Sequence, residues 1–424
     1  MELQRNPIQS RREHSHNPSG SISFRQWQSP EYPNRIVFNE FKQRNIVVPT
    51  RICLSANLRR DNFGLRGRVA EWFKAPDSKS GAGETLSGVR IPPLPPFNRC
   101  MKRIDAHLHL VGDGSSATGC WLDRSVFRLP LAALMLRHMG VPLSALFRNL
   151  DQHYLRRLLT LTEHCTLDAF VLLAQEQVYD DHGRLAKGWG TAYVPNDYVL
   201  SVAKQFPRFL PAVSIHPARP DAMDELNRCI DAGAVMMKCL PMCQNIDTTN
   251  PRFKRFWERM AEARMPLLAH AGGEHTLQVV RPDFADPDRL EFPLQCGVTV
   301  IAAHAAAKSG LFDTQYFPRL VSMMERHPNL YADNSAFNCN FRGQVTPQCL
   351  QTPVVERIVY GSDFPVPCFP FFPWIQGQID WATYQSAARI PNPIERDYQL
   401  KRAMGFPEET FTRIGKLLRM PQEK

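Results

Sequence analysis

Residues 103–110 read RIDAHLHL, a short apolar run that carries two histidines, His107 and His109, one residue apart. Alternate residues of a β-strand point to the same face of a sheet, so both imidazoles would face the same way. Two imidazoles at this spacing can hold one metal ion, and imidazole together with carboxylate oxygen suits zinc. The run therefore predicts a strand that ends in half of a metal site.

Seven further apolar runs, each ending in polar residues, glycine or proline, alternate with helix-like segments along the rest of the chain. The runs cover residues 168–174, 209–217, 234–240, 266–272, 298–305, 329–337 and 357–365. Such alternation implies parallel strands joined by right-handed crossovers, and eight units close a (β/α)8 TIM barrel. We therefore predict an α/β fold of that class.

The first gap between predicted strands, residues 111–167, is far longer than the others and contains two helix-like segments. They read PLAALMLRHMG at 130–140 and SALFRNLDQHYLRRLLTLTEH at 144–164. We predict a helical insertion after the first strand, which forms part of a cap over the barrel mouth.

Residues with metal-binding or acid–base chemistry stand at the ends of four later strands. Lys238 ends the fourth strand, His270 the fifth, His304 the sixth and Asp363 the eighth. In a (β/α)8 barrel these ends converge on one face, where active sites are built. Taken singly, a strand histidine is more often a core residue, Lys238 can be an ion-paired lysine, and Asp363 can cap a turn. Together with the histidine pair of the first strand, they favour a catalytic metal site.

These residues resemble the amidohydrolase superfamily, specifically its amidohydrolase-related branch. That branch includes metal-dependent hydrolases and enzymes similar to aminocarboxymuconate-semialdehyde decarboxylase. The resemblance extends from Met101 to the end of the chain. Its most specific motifs are DAHLH at 105–109, HAGGEH at 270–275, AAH at 302–304 and GSDFP at 361–365.

The resemblance implies four metal ligands, namely His107, His109, His270 and Asp363. His304 would act beside the metal, in proton transfer or as a ligand of a second ion. Lys238 occupies the position at which dinuclear relatives carry a carboxylated lysine that bridges two metals. We expect one divalent ion, zinc, beside an unmodified lysine, whereas carboxylation of the lysine would allow two ions.

The expected reaction is hydrolysis of a C–N or C–O bond in a small molecule. A divalent ion makes water nucleophilic at neutral pH, Asp363 would accept the proton, and His304 would stabilise or protonate the group that develops. One alternative is metal-dependent, non-oxidative decarboxylation, in which Arg219 would hold the substrate carboxylate. Another is a barrel that binds a ligand without turnover. The candidate substrate-pocket residues are Arg219, His216, His275 and Glu274.

Composition and charge limit the partners of the protein. The net charge is +10, but residues 1–100 contain 16 Lys and Arg against 8 Asp and Glu, whereas the remainder contains 35 against 33. The main part of the chain therefore gives no reason to expect nucleic-acid binding. No apolar run of about eighteen residues predicts a membrane span, and no secretory signal is recognisable, so we expect a cytoplasmic protein with reduced cysteines. The family resemblance makes a homodimer plausible.

Residues 1–100 show little apolar periodicity and are rich in Ser, Asn, Gln, Arg and Pro, so disorder is the simplest interpretation. Within them, residues 67–96 resemble the in-frame translation of a serine tRNA gene, because the allowed codons include complementary flanks around a serine anticodon. A proline-rich ligand of an SH3-type groove at 92–96 is the alternative. We therefore expect a non-native or disordered extension, a native start at Met101, and one barrel domain over 101–424.

Overall fold

The computed structural model of the chain describes residues 102–123, 130–142, 144–145 and 148–420. The predicted extension over 1–100, its tRNA-like segment at 67–96 and the predicted start at Met101 lie outside the described residues.

Eight parallel strands form the central sheet, and two further short strands pair with each other in an antiparallel ladder. The strands are β1 (Ile104–His109), β2 (Trp121–Leu122), β3 (Ala169–Leu173), β4 (Ala192–Tyr193), β5 (Phe209–Val213), β6 (Met236–Cys239), β7 (Leu267–His270), β8 (Val300–Ala303), β9 (Leu330–Asp333) and β10 (Ile358–Val359). The order in the central sheet is β1-β3-β5-β6-β7-β8-β9-β10. Each strand thus pairs with the next central strand along the chain.

The segment that contains β10 closes the sheet against β1. The backbone N–H of Ala106 donates to the carbonyl of Tyr360 at 2.9 Å, and that of His109 donates to the carbonyl of Phe364 at 2.9 Å. A parallel bridge also joins Leu108 to Phe364. These bonds complete a (β/α)8 barrel, as the sequence predicts.

Helices connect the strands on the outside of the barrel and at its mouth. They are α1 (Pro130–Met139), α2 (Leu150–Glu163), α3 (Asn196–Gln205), α4 (Ala222–Asp231), α5 (Pro241–Gln244), α6 (Lys254–Glu262), α7 (Glu291–Gln295), α8 (Phe317–Arg326), α9 (Thr346–Cys349), α10 (Phe371–Ile375), α11 (Trp381–Ala388), α12 (Pro393–Ala403), α13 (Glu408–Thr412) and α14 (Ile414–Leu417). The predicted insertion after the first strand is confirmed, because α1 and α2 lie between β1 and β3. Among the described residues, no helix is both long and apolar enough to span a membrane.

The barrel interior explains which side chains reach the mouth. One apolar cluster takes Val171 from β3, Met236 from β6, Leu268 from β7 and Val359 from β10. Because side chains alternate between the two faces of a strand, the residues two positions after Met236 and Leu268 stay on the inner face. Those residues are Lys238 and His270, each near the carboxyl end of its strand.

Strand β1 needs an irregularity to turn its two histidines to the inner face of the barrel. Ile104 and Ala106 belong to the inner cluster, so strict alternation would turn His107 and His109 outward. The pairing of β1 with β3 shifts register between Asp105 and Leu108. A shift of this kind moves subsequent side chains to the other face, which directs the two imidazoles inward.

Candidate metal centre

Three potential ligand atoms converge at the mouth of the barrel. The Nε2 atoms of His107 and His109 lie 3.2 Å apart, and each lies 3.3 Å from Oδ1 of Asp363. Four ligands at about 2.0–2.1 Å from a tetrahedral zinc ion are themselves about 3.3 Å apart, because a tetrahedron edge is about 1.6 times its centre-to-corner distance. The three atoms therefore match one face of a zinc coordination sphere.

Backbone geometry holds Asp363 in that position. Asp363 has a left-handed conformation with φ of 62°, and its N–H donates to the His107 carbonyl at 2.8 Å. The fully buried carboxylate of Asp105 accepts from the N–H groups of His107, at 3.0 Å, and Ser362, at 2.9 Å. The first residue of the DAHLH motif therefore ties the histidine strand to the loop that carries Asp363.

Asp333, at the end of β9, determines which ring nitrogen of His107 carries the proton. Its Oδ2 accepts from Nδ1 of His107 at 2.7 Å, so the other ring nitrogen, Nε2, presents a lone pair toward the site. Burial opposes ionisation of Asp333, but the interaction with His107, which includes this hydrogen bond, outweighs burial and keeps the pKa of the carboxyl below its ordinary value. Sequence reasoning missed this residue, although it ends a buried strand as the predicted ligands do.

His304 lies in a left-handed turn directly after β8, with φ of 56°. Its N–H donates to Asp333 Oδ1 at 2.7 Å, and its Nδ1 lies 2.7 Å from the Ser335 hydroxyl and 3.8 Å from Asp363 Oδ2. Potential ligand atoms of His107, His304 and Asp363 all lie within 4.8 Å of one another. Burial, followed by the nearby Arg342, lowers the pKa of His304 well below its ordinary value, so the ring is neutral at pH 7.

His270 lines the same cavity but has different neighbours. Its Nε2 lies 3.3 Å from the Gly273 carbonyl and 3.6 Å from Oε2 of Glu274. Its ring centroid is 4.9 Å from that of His304. Burial lowers the pKa of His270 to about 4, which leaves the imidazole neutral and able to bind a cation.

Two cationic side chains border the ligand cluster. Lys238 is buried, and its Nζ donates to Nε2 of His107 at 3.1 Å, so a positive group already faces that lone pair. Burial lowers the pKa of the Lys238 ammonium. Arg342, which sequence reasoning missed, donates to Asp363 Oδ2 at 3.2 Å and to the Gly273 carbonyl at 3.1 Å. It begins a short 3-10 helix after β9, where no spacing pattern indicates it.

Of the four candidate substrate residues, Glu274 lines the cavity, whereas Arg219, His216 and His275 do not. Arg219 is held by ion pairs with Glu176, at 2.7 Å, and Asp221, at 2.8 Å. The structure therefore places the predicted carboxylate anchor outside the cavity.

The two remaining histidines are also engaged elsewhere. His216 is buried, and its Nε2 lies 3.3 Å from the Asn245 carbonyl while its Nδ1 accepts from the Ala218 N–H. The side chain of His275 is 56% exposed and pairs with Asp313 at 3.0 Å. Neither ring is directed by these contacts toward the ligand cluster.

The chain is similar to solved structures of low sequence identity. An uncharacterised TIM-barrel protein of Bordetella bronchiseptica is 17% identical, with 71% of this chain and 100% of that chain covered and a TM-score of 0.48. For 5-carboxyvanillate decarboxylase of Sphingomonas paucimobilis the identity is 13%, the coverage 76% and 100%, and the TM-score 0.46. At these identities and TM-scores, neither protein assigns a reaction to this chain. A search of curated proteins finds no match.

The sequence itself matches a known family over most of the described barrel. The match covers residues 104–384 and includes every predicted metal ligand. The family is described as amidohydrolase. The chain therefore belongs to the amidohydrolase family and is an enzyme of the amidohydrolase superfamily.

Proposed function

We propose that this enzyme is a metal-dependent hydrolase that cleaves a C–N or C–O bond of a small acyl compound. In this proposal one zinc ion is held by His107, His109, His270 and Asp363. The observation that carries the proposal is the 3.2–3.3 Å spacing of three of these ligands' donor atoms, which matches the edges of a zinc tetrahedron. The neutral state of the buried rings supports it, because a metal ion binds imidazole only in the unprotonated form.

A bound divalent ion supplies Lewis acidity to a substrate carbonyl and to a water molecule. Side chains of the protein then accept the proton that the attacking water releases. Burial opposes ionisation of Asp363, but His304 and His107 outweigh it and hold the pKa of that carboxyl well below its ordinary value. Asp363 is therefore ionised at neutral pH and can accept the proton of the attacking water at a carboxylate oxygen.

The other polar side chains position this carboxylate and the attacking water. Arg342 donates to Asp363 Oδ2, which leaves Oδ1 beside the two histidines of β1. The Ser335 hydroxyl donates to Asp333, so the neutral His304 ring donates from Nδ1 to Ser335 and its Nε2 can accept a hydrogen bond from the attacking water. Asp333 keeps His107 in the tautomer that leaves Nε2 available.

Decarboxylation has less support from the site. That reaction needs a cation facing the cavity to hold the substrate carboxylate, and the predicted candidate, Arg219, is engaged by Glu176 and Asp221 outside it. Lys238 and Arg342 do line the cavity, but they contact His107 and Asp363. The side chain of Arg219 would have to leave two ion pairs to serve this role.

Removal and return of the metal tests the proposed function. The full chain would be stripped with a chelator and assayed with neutral esters, lactones and amides before and after zinc is added. We expect hydrolysis to disappear on stripping and to return with about one equivalent of zinc per chain, or about two if Lys238 is carboxylated. Release of carbon dioxide from carboxylated aromatic acids, with no hydrolysis of any acyl compound by the zinc-loaded enzyme, would contradict it.

A further inference from the structure

We infer that the substrate is a neutral acyl compound with an extended apolar group, which α1 and the loop after β7 hold. This inference rests on the proposed function, because the acyl carbon has to reach the cluster of His107, His109 and Asp363. It adds the chemical class of the rest of the substrate.

The cavity is lined by the polar side chains at the strand ends and by aliphatic side chains, four of which form what we call the aliphatic wall. Helix α1 contributes three residues at helical spacing, Met135, Leu136 and Met139, and the loop after β7 contributes Leu277. Leu136 and Met139 are buried, and Met135 is half-buried. An apolar group placed against this wall would lose its contact with water, and the flexible methionines can adapt to its shape.

Three uncharged polar side chains that line the cavity already make a hydrogen bond within the protein. Gln175 donates to the Ala192 carbonyl at 3.3 Å, and Thr191 accepts from the Gln278 N–H at 2.7 Å. The Thr276 hydroxyl donates to Glu274. A polar substituent on the distal part of the substrate would find these groups partly occupied, whereas an apolar one needs no such partner.

The cationic side chains of the lining are also occupied. Among the described residues that line the cavity, the lysine and arginine side chains are those of Lys238 and Arg342. Arg342 contacts Asp363 at 3.2 Å and Glu274 at 3.9 Å, and Lys238 contacts His107 at 3.1 Å. Both lie at the ligand cluster and not in the aliphatic wall. A second carboxylate on the substrate would therefore be desolvated beside α1 without a partner, which is strongly unfavourable.

Binding of amides of increasing chain length tests this inference without requiring turnover. The zinc-loaded full chain would be titrated calorimetrically with straight-chain primary amides from propionamide to octanamide. Burial of one methylene stabilises by about 0.8 kcal/mol, so we expect the affinity to rise about fourfold per added carbon until the wall is filled. An amide that ends in a carboxylate should bind more weakly than the uncharged amide of equal length.

Variants of α1 test whether the dependence of affinity on chain length arises at Met135. Met135→Trp should shorten the longest chain that still gains affinity, and Met135→Ala should lengthen it, so the inference does not depend on one variant folding. The matched control is Leu134→Trp, because Leu134 is the adjacent residue of α1, is 40% exposed and is outside the cavity lining. This control should leave the chain-length profile unchanged.

Failure of this inference and failure of the proposed function can be told apart. Affinity that does not depend on chain length, tighter binding of the carboxylated amide, or equal effects of Met135→Trp and Leu134→Trp would overturn the inference even if hydrolysis is observed. A chain-length profile without hydrolysis of any ester, lactone or amide would support the apolar wall and contradict the proposed hydrolase.

Discussion

Replacing Asp363 by asparagine is expected to lower kcat for hydrolysis by at least about 10³-fold. The amide has the same shape as the carboxylate, but it carries no charge and its nitrogen cannot accept a proton. General acid–base catalysis contributes about 10²–10⁴-fold, and the substitution also weakens a proposed metal ligand, so the loss should lie toward or beyond the upper end of that range. Steady-state kinetics of the zinc-loaded variant measures the effect.

The same substitution at an exposed aspartate serves as the control, because it shows whether replacing any aspartate by asparagine lowers kcat. Asp197 has a side chain that is 77% exposed and pairs with Arg228 at the surface. Asp197→Asn should therefore retain the activity of the unsubstituted enzyme. If Asp363→Asn folds, as judged by its thermal unfolding, and keeps more than about a tenth of the original kcat, Asp363 is not the base.

Replacing Lys401 by methionine should lower the free energy of unfolding by about 3–5 kcal/mol. Lys401 is fully buried in α12, and its Nζ donates to Asp397 at 2.8 Å and to the Gly361 carbonyl at 2.7 Å. The variant leaves the Asp397 carboxyl buried without its cation, and breaking a buried pair in this way typically has a cost of that size. Because Gly361 precedes the loop of Asp363, the site should also become less ordered.

Denaturant unfolding of the two variants Lys401→Met and Arg319→Met provides the comparison. Arg319 pairs with Asp286 and Asp288 at the surface, where its side chain is 49% exposed. Loss of an exposed pair typically changes stability by less than about 1 kcal/mol. Equal destabilisation of the two variants would mean that the buried pair does not support the loop of Asp363.

The fold follows from the sequence because each central strand is a short apolar run with a polar end. The apolar run over 357–365 is longer than the strand that it predicts, because only Ile358–Val359 belong to the strand. From Gly361 onward the chain turns into a loop, in which Ser362 bonds to Asp105 and Asp363 adopts a positive φ. Apolar patterning predicts that a strand occurs, but long-range side-chain bonds determine where it ends.

Sequence reasoning selected residues at the ends of predicted strands and missed two polar residues that contact them. Asp333 ends β9 and could have been found by the rule that singled out Lys238 and His270. Arg342 begins a 3-10 helix nine residues further on, and its contact with Asp363 depends on how this helix meets the loop of Asp363. The pairing of β2 with β4 was likewise missed, because each strand has two residues and the partners lie about seventy positions apart.

The binding of zinc by the full chain and by His107→Ala tests the central claim most directly. Equilibrium titration of the metal-free protein, with metal content per chain as the readout, gives both stoichiometry and affinity. Loss of a partner that only orients a ligand weakens metal binding by about 10- to 100-fold, and loss of a direct ligand should weaken it by more. We predict about one zinc ion per chain with Lys238 unmodified, and at least about 100-fold weaker binding by His107→Ala. Absence of zinc binding by the full chain, or equal affinity of the two proteins, would contradict the assignment of the metal centre.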